Sequence, residues 1–408
     1  MRCRHCQNAL TRPFLDLGSA PPSNSYLSEA GLLRPETWYP LRVMVCEHCW
    51  LVQTEDYAGR EALFAEDYAY FSSFSTSWLK HAQKYVEMAS ERFMLDRTSL
   101  VVEVASNDGY LLQYVKELGI PCLGIEPTSS TARAARVKGI EVVEEFFGVE
   151  LAERLVAQGS AADLTVANNV LAHVPDINDF VAGFQRLLKP SGVATFEFPH
   201  LLRLVDQCQF DTVYHEHFSY LSLTSVLRIM SRNGLEVFDV EECSTHGGSL
   251  RVFAQRVDGG GHPVRPGVAA LARREQDAGM QTSEYYSAFQ AAADRTKNAF
   301  LEFMIHLKQR GATVASYGAA AKGNTLLNYA GIKRDLISWV VDLSPAKQGK
   351  YLPGSRIPVV DEDRLKQLRP EYIVILPWNL CPEITAQLNY ARNWGAKFVT
   401  AIPELAIT

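Results

Sequence analysis

Long runs of one kind are what this 408-residue chain lacks. No apolar stretch is long enough to span a bilayer, so a helical membrane protein is excluded. There is no long basic run either, and the formal net charge is −6. A non-specific nucleic-acid binder needs a cationic surface to displace phosphate counterions, so that class is disfavoured. The first residues are polar and do not read as a signal peptide, so the expected location is cytoplasmic. The Gly-Lys-Ser/Thr of a P-loop, a His-Glu-x-x-His helix and a full Gly-x-Gly-x-x-Gly fingerprint are all missing. No short-period repeat or low-complexity tail is present. What remains is an ordinary globular composition, too long for one core and enough for two or three domains.

Four of the eight cysteines stand in two matching strings, Cys3-Arg4-His5-Cys6 and Cys46-Glu47-His48-Cys49. In a reducing compartment such pairs more often hold metal than form disulfides. Four soft thiolates suit tetrahedral zinc, and four protein ligands close the site, which makes it structural. His5 and His48 lie inside the strings and are alternative ligands, with the cysteines preferred. The gap between the pairs is longer than in a compact zinc ribbon. Residues 1–60 are rich in Pro and Ser and poor in apolar residues, so a metal staple is expected there. Cys122, Cys208, Cys243 and Cys381 are scattered singly and read as small buried hydrophobes.

From about residue 61 to 93 the spacing of Trp78, Leu79, Ala82, Tyr85, Val86 and Met88 predicts a helix. Strands then alternate with helices: 100–104, 122–125, 141–143, 164–167 and 193–198 read as strands. This alternation predicts an α/β fold with a parallel doubly wound sheet over residues 61–257. Asp258-Gly259-Gly260-Gly261 breaks the pattern, and a long helical stretch over roughly 268–310 follows. A second Rossmann-like unit is expected within residues 258–408, with strands at 313–317, 337–341, 372–376 and 397–401.

The first strand of the alternating part runs into Ala105-Ser106-Asn107-Asp108-Gly109. A diphosphate needs a closer backbone approach than this one-glycine turn offers, so the turn suits a cofactor without phosphates. Glu126 follows the second strand, where an acid binds ribose hydroxyls. Together with the strings Asp163 to His173 and Leu188 to Val193, these features resemble the class I S-adenosylmethionine-dependent methyltransferases. The resemblance implies that Glu103 opens the cofactor motif and that Ala105, Asn107 and Gly109 wrap the methionine part. It further implies that Glu126 holds the ribose and that Asn168 and Asn169 line the methyl-transfer pocket.

Tyr214-His215-Glu216-His217-Phe218-Ser219-Tyr220 concentrates groups able to move protons. His217 suits a general base, Glu216 an orienting charge, and Tyr214 a donor to a developing oxyanion. A His-x-His metal pair has no third ligand nearby in sequence. Ser244 to Arg251, with His246 and Gly247, forms a polar turn whose glycines suit a diphosphate. Tyr317 to Asn324 puts Lys322 at a strand-to-helix turn that also suits an anion.

Zinc knuckles, a methyltransferase core, this Tyr-His-Glu-His string and a C-terminal Rossmann-like unit, in that order, resemble the nucleotide-sugar C-methyltransferases of deoxysugar pathways. The likeness spans essentially the whole chain. It implies a thymidine-diphosphate (TDP) 4-keto-deoxysugar substrate, S-adenosylmethionine as methyl donor and structural zinc on Cys3, Cys6, Cys46 and Cys49. It places His217, Tyr214 and Glu216 in the active site and has Tyr68 or Tyr70 closing over the ligands. It also gives the C-terminal unit, with Lys322 and Asn324, a part in nucleotide binding. The expected reaction is removal of a proton beside the ketone by His217, with Tyr214 or His173 near the enolate oxygen and C-3 the favoured carbon. The alternatives are an O- or N-methyltransferase of a related metabolite and a non-catalytic zinc-ribbon interaction protein. No nucleic-acid or membrane partner is expected, and the chain is expected to be a monomer or homodimer.

Overall fold

The structure, a computed structural model, describes residues 1–57 and 71–408. Tyr68 and Tyr70 lie outside the described residues. Among the described residues, no helix is long and apolar enough to cross a membrane.

Three sheets organise the chain. The N-terminal sheet begins with β1 (Arg12–Ala20), β2 (Tyr39–Val45) and β3 (Val52–Thr54). The central sheet uses β4 (Val101–Val104), β5 (Cys122–Ile125), β6 (Glu141–Val143), β7 (Ala162–Asn168) and β8 (Leu188–Pro199). The short strand β9 (Ser219–Tyr220) joins the N-terminal sheet, giving the order β1-β2-β3-β9. β10 (Leu235–Cys243) and β11 (Ser249–Arg256) complete the central sheet in the order β10-β11-β8-β7-β4-β5-β6.

Strands β4 to β8 pair in parallel, as the alternation predicts. The sheet as a whole is mixed, because β11 runs antiparallel to both β8 and β10. The reason is local: β10 and β11 are joined by the tight turn Ser244–Gly248, and a parallel pair would need a crossover of a dozen or more residues. Helix Thr76–Arg92 starts at Ser75, whose hydroxyl accepts from the Trp78 amide, and it buries Trp78, Ala82, Tyr85, Val86 and Ala89.

The expected single helix over 268–310 is three helices, Pro266–Asp277, Ser283–Ser287 and Phe289–Gln309. Gly279 takes the left-handed φ of +87° after the first of them, which stops it. The C-terminal sheet follows as β12 (Val314–Tyr317), β13 (Val340–Val341), β14 (Val359–Val360), β15 (Tyr372–Ile375), β16 (Lys397–Thr400) and β17 (Ala406–Ile407), in the order β14-β13-β12-β15-β16-β17. Only β17 runs antiparallel.

The N-terminal sheet does not stand alone. Phe14, Leu15, Leu41 and Val43 share one core with Tyr286, Phe289 and Phe300 of the connecting helices and with Val314 and Leu326 beyond them. Sequence composition hid this, because the apolar partners of β1 and β2 lie more than two hundred residues downstream.

Candidate active site

Both cysteine strings are tight turns. Gln7 donates its amide to the Cys3 carbonyl and Trp50 to the Cys46 carbonyl, each with a left-handed φ. Cys3 and Cys49 sulfurs stand 3.5 Å apart, as do those of Cys6 and Cys46, and all four lie within 4.8 Å of one another. Tetrahedral zinc with sulfur at about 2.3 Å sets sulfurs about 3.8 Å apart, so the cage fits that ion. Gln53 Nε2 donates to Cys3 Sγ (3.2 Å) and Asn8 Nδ2 to Cys6 Sγ (3.3 Å), bonds that favour thiolates. His5 is no ligand in this arrangement, since its Nδ1 bonds Asn178 Oδ1 (2.9 Å), and His48 is exposed.

At the cofactor turn Ala105, Asn107 and Gly109 all adopt positive φ. Only Gly109 must lack a side chain, because a Cβ there would meet Ile140 Cδ1 at 2.4 Å. Glu126 is buried, and its two oxygens accept the amides of Asn107 and Thr128, both at 2.9 Å. It therefore holds the turn's shape, and burial raises its proton affinity. Burial raises Glu103 more strongly, with the Tyr110 hydroxyl opposing. Among the described residues, one oxygen each of Asp108, Asn168 and Asn169 has no hydrogen-bond partner. Such a cluster of orphaned acceptors fits a ligand rich in N–H and O–H donors, as S-adenosylmethionine is.

His217 sits at the end of a turn that follows Phe210–Thr212. Its Nδ1 lies 2.9 Å from the Thr212 carbonyl. A carbonyl only accepts, so Nδ1 carries the proton and Nε2 the lone pair. The ring lies 4.0 Å from Tyr214 and 4.6 Å from His173, centroid to centroid. Burial holds His217 well below the usual imidazole range, and the neighbouring His173 adds to that. His173 is likewise lowered to about 4 by burial and gives its Nδ1 proton to the Glu216 carbonyl (2.8 Å). In that tautomer His173 Nε2 carries the lone pair. Glu216 bonds away from the two histidine rings through its side chain. Its carboxyl takes a 2.5 Å bond from Asn24 Nδ2, and burial pushes it up to about 7.

The C-terminal unit reaches this place through Lys322: burial lowers both His217 and His246, and the Lys322 charge adds to it. Lys322 Nζ bonds Asn379 Oδ1 (2.7 Å) and sits 4.8 Å from the Trp378 ring centroid. Burial lowers it, opposed by Asp211. His246 joins the cofactor side through a 2.9 Å contact between its Nε2 and Asn169 Nδ2. Gly247, with φ of +90°, makes room for Trp378, which a Cβ would meet at 2.5 Å. Asn324 is the other residue of this unit expected in nucleotide binding. It is fully buried and donates to the Ser23 carbonyl (2.6 Å), which places it in the domain contact.

Several residues at this site escaped the motif reading. Asp211 receives Trp378 Nε1 at 2.8 Å and is pushed by burial up to about 7. Glu197 accepts from His81, Thr245 and Arg251. Against a burial effect of opposite sign, those partners hold Glu197 down at about 2. The signal for Glu197 was present, as one acid inside the apolar strand Val193 to Phe198.

The comparisons with known proteins cover this whole arrangement. The chain is 34% identical over 402 residues to the C-methyltransferase NovU of Streptomyces niveus, covering 98% of this chain and 95% of that one. The chain belongs to the C-methyltransferase family. Family models match this C-methyltransferase as a zinc binding domain over residues 3–64, a methyltransferase domain over 78–240 and a C-methyltransferase C-terminal domain over 244–403. The C-methyltransferase therefore uses S-adenosylmethionine on a class I fold. A ubiquinone biosynthesis O-methyltransferase of Bordetella avium is 30% identical over 98 residues, 24% of this chain and 41% of that one. Among solved structures, the magnesium protoporphyrin IX methyltransferase of Synechocystis PCC 6803 with bound SAM is 14% identical, with a TM-score of 0.36 over 50% of this chain and 100% of that one.

Proposed function

We propose that this C-methyltransferase methylates the carbon beside the ketone of a TDP-4-keto-deoxysugar, C-3 being favoured, in deoxysugar and antibiotic biosynthesis. The observation that supports it best is the tautomer of His217: a buried, neutral imidazole with its lone pair on Nε2. A carbon acid beside a ketone needs such a base, because the anion formed spreads onto the carbonyl oxygen. His217 takes the proton and Tyr214 donates to the oxygen. S-adenosylmethionine, when bound, supplies an electrophilic sulfonium methyl. The chain's part is then alignment and exclusion of water, which the burial of His217, Glu216 and Asn168 provides. Lys322 and His246 face the diphosphate, and Glu103, Ala105, Asn107, Gly109, Glu126, Asn168 and Asn169 surround the cofactor.

Incubation with TDP-4-keto-sugars in deuterated water tests this reading. Deuterium should enter one ring carbon even without S-adenosylmethionine, and NMR should then find the new methyl on that carbon. A methyl on oxygen or nitrogen, with no deuterium uptake at carbon, would refute it.

A further inference from the structure

The first cysteine turn carries a side chain that points into the catalytic unit. Arg4, between Cys3 and Cys6, has a side chain only 5% exposed. Its guanidinium donates to the carbonyls of Thr54 (2.9 Å) and Pro175 (3.5 Å) and lies 5.2 Å from the Phe218 ring centroid. Pro175 follows the turn that bears His173, and Phe218 follows His217. Thr54 closes the circuit: its Oγ1 donates to the His217 carbonyl (3.1 Å) and its amide to the Phe218 carbonyl (3.2 Å). One planar fork from the zinc cage thus touches both histidine-bearing segments, a task that a lysine point charge cannot copy.

We propose that Arg4 is a positioning residue that sets the spacing of His173 and His217, and that the cysteine cage exists to hold Arg4 in place. Gln53 is the brace between the two. Its Oε1 accepts the Arg4 amide (2.9 Å) while its Nε2 bonds Cys3 Sγ. Strand β3 then pairs with β9, Gln53 opposite Ser219 and Val52 opposite Tyr220. The cage therefore acts at a distance on the 4.6 Å histidine pair. The proposal rests on the His217 reading for its catalytic meaning, but not for its structural content.

The test uses full-length protein carrying Arg4→Met or Arg4→Lys. Hydrogen exchange by mass spectrometry, zinc content, S-adenosylmethionine affinity and turnover are compared with wild type. Arg4→Met should keep its zinc and bind S-adenosylmethionine within about twofold of wild type. It should turn over 10- to 100-fold more slowly, on the scale of a misplaced reacting group. Exchange in peptides covering 171–176 and 213–220 should rise at least tenfold, while the C-terminal sheet stays protected. Arg4→Lys should recover only part of this. Wild-type turnover with wild-type protection overturns the proposal, as does exchange that rises equally in all three sheets. If Arg4→Met does not fold, Thr54→Val removes one bond to the His217 carbonyl and should raise exchange in 213–220 alone; unchanged exchange there overturns the proposal. A His217→Asn protein with the wild-type rate would remove the base assignment, while the exchange of the two segments would still decide the role of Arg4.

Discussion

A base that takes a proton from carbon at neutral pH must itself be neutral before the substrate arrives. Burial meets this requirement for His217, the proposed base, and the nearby His173 helps. Turnover is therefore expected to hold steady as pH falls through 6.5, where a free imidazole gains its proton, and to decline only well below it. His217→Asn should cost at least about 100-fold in kcat, the usual share of a general base, with cofactor affinity nearly unchanged by calorimetry. Glu216 carries the opposite lesson. Its folded pKa, about 7, lies above the ordinary carboxyl value because burial penalises the anion. Between those two values the folded state holds more proton than the unfolded one. Stability from this group is thus full below the ordinary value and is lost as pH rises toward and past 7. Glu216→Gln keeps an acceptor for Asn24 and removes the ionisation. Its melting temperature should gain on wild type between pH 5 and 8, by the equivalent of about 3 kcal/mol at the upper end. A constant difference across that range would show that Glu216 stays protonated or stays solvated.

At the scale of elements, the cofactor turn concentrates three left-handed residues in five positions. Gly109→Ala adds a methyl at φ +74° against Ile140, and such strain costs about 1–3 kcal/mol. The variant should melt several degrees lower and bind S-adenosylmethionine at least tenfold more weakly in titration calorimetry. This turn was legible in the sequence because an apolar strand ran into small and amide residues and then an acid. The cysteine cage was legible for a similar reason, since its ligand types and spacing are local. What stayed hidden depends on partners far along the chain. Strand β9 has two residues and no pattern of its own, so its pairing with β3 could not be read. The bond from Trp378 to Asp211 joins residues 167 positions apart. Asn324 reads as an anion-site residue from its turn, and its bond to the Ser23 carbonyl, 301 positions away, could not be read.

For the whole molecule, the expectation of separable domains meets a core that crosses their borders. Phe14 of β1 stacks on Phe289 at 4.7 Å with the rings 7° from parallel, and Trp50 stacks on Tyr286 at 6.0 Å. Tyr220 of β9 belongs to the same cluster as Leu326 and Val340 of the C-terminal unit. A chain ended at residue 257 would uncover Phe14, Leu41, Val43 and Phe210 together. Each large apolar side chain returned to water costs about 1.5–3 kcal/mol, so these four together cost about 6–12 kcal/mol, as much as the 5–15 kcal/mol that usually holds a domain folded. The truncated chain is expected to lack a cooperative thermal transition and to bind a hydrophobic dye, even though every strand of the methyltransferase sheet remains. It would also lose Lys322 and Trp378, so restoring its fold by added osmolyte should not restore turnover. A soluble 1–257 fragment with a sharp transition would show instead that the shared core is dispensable and that the C-terminal unit contributes to ligand binding alone.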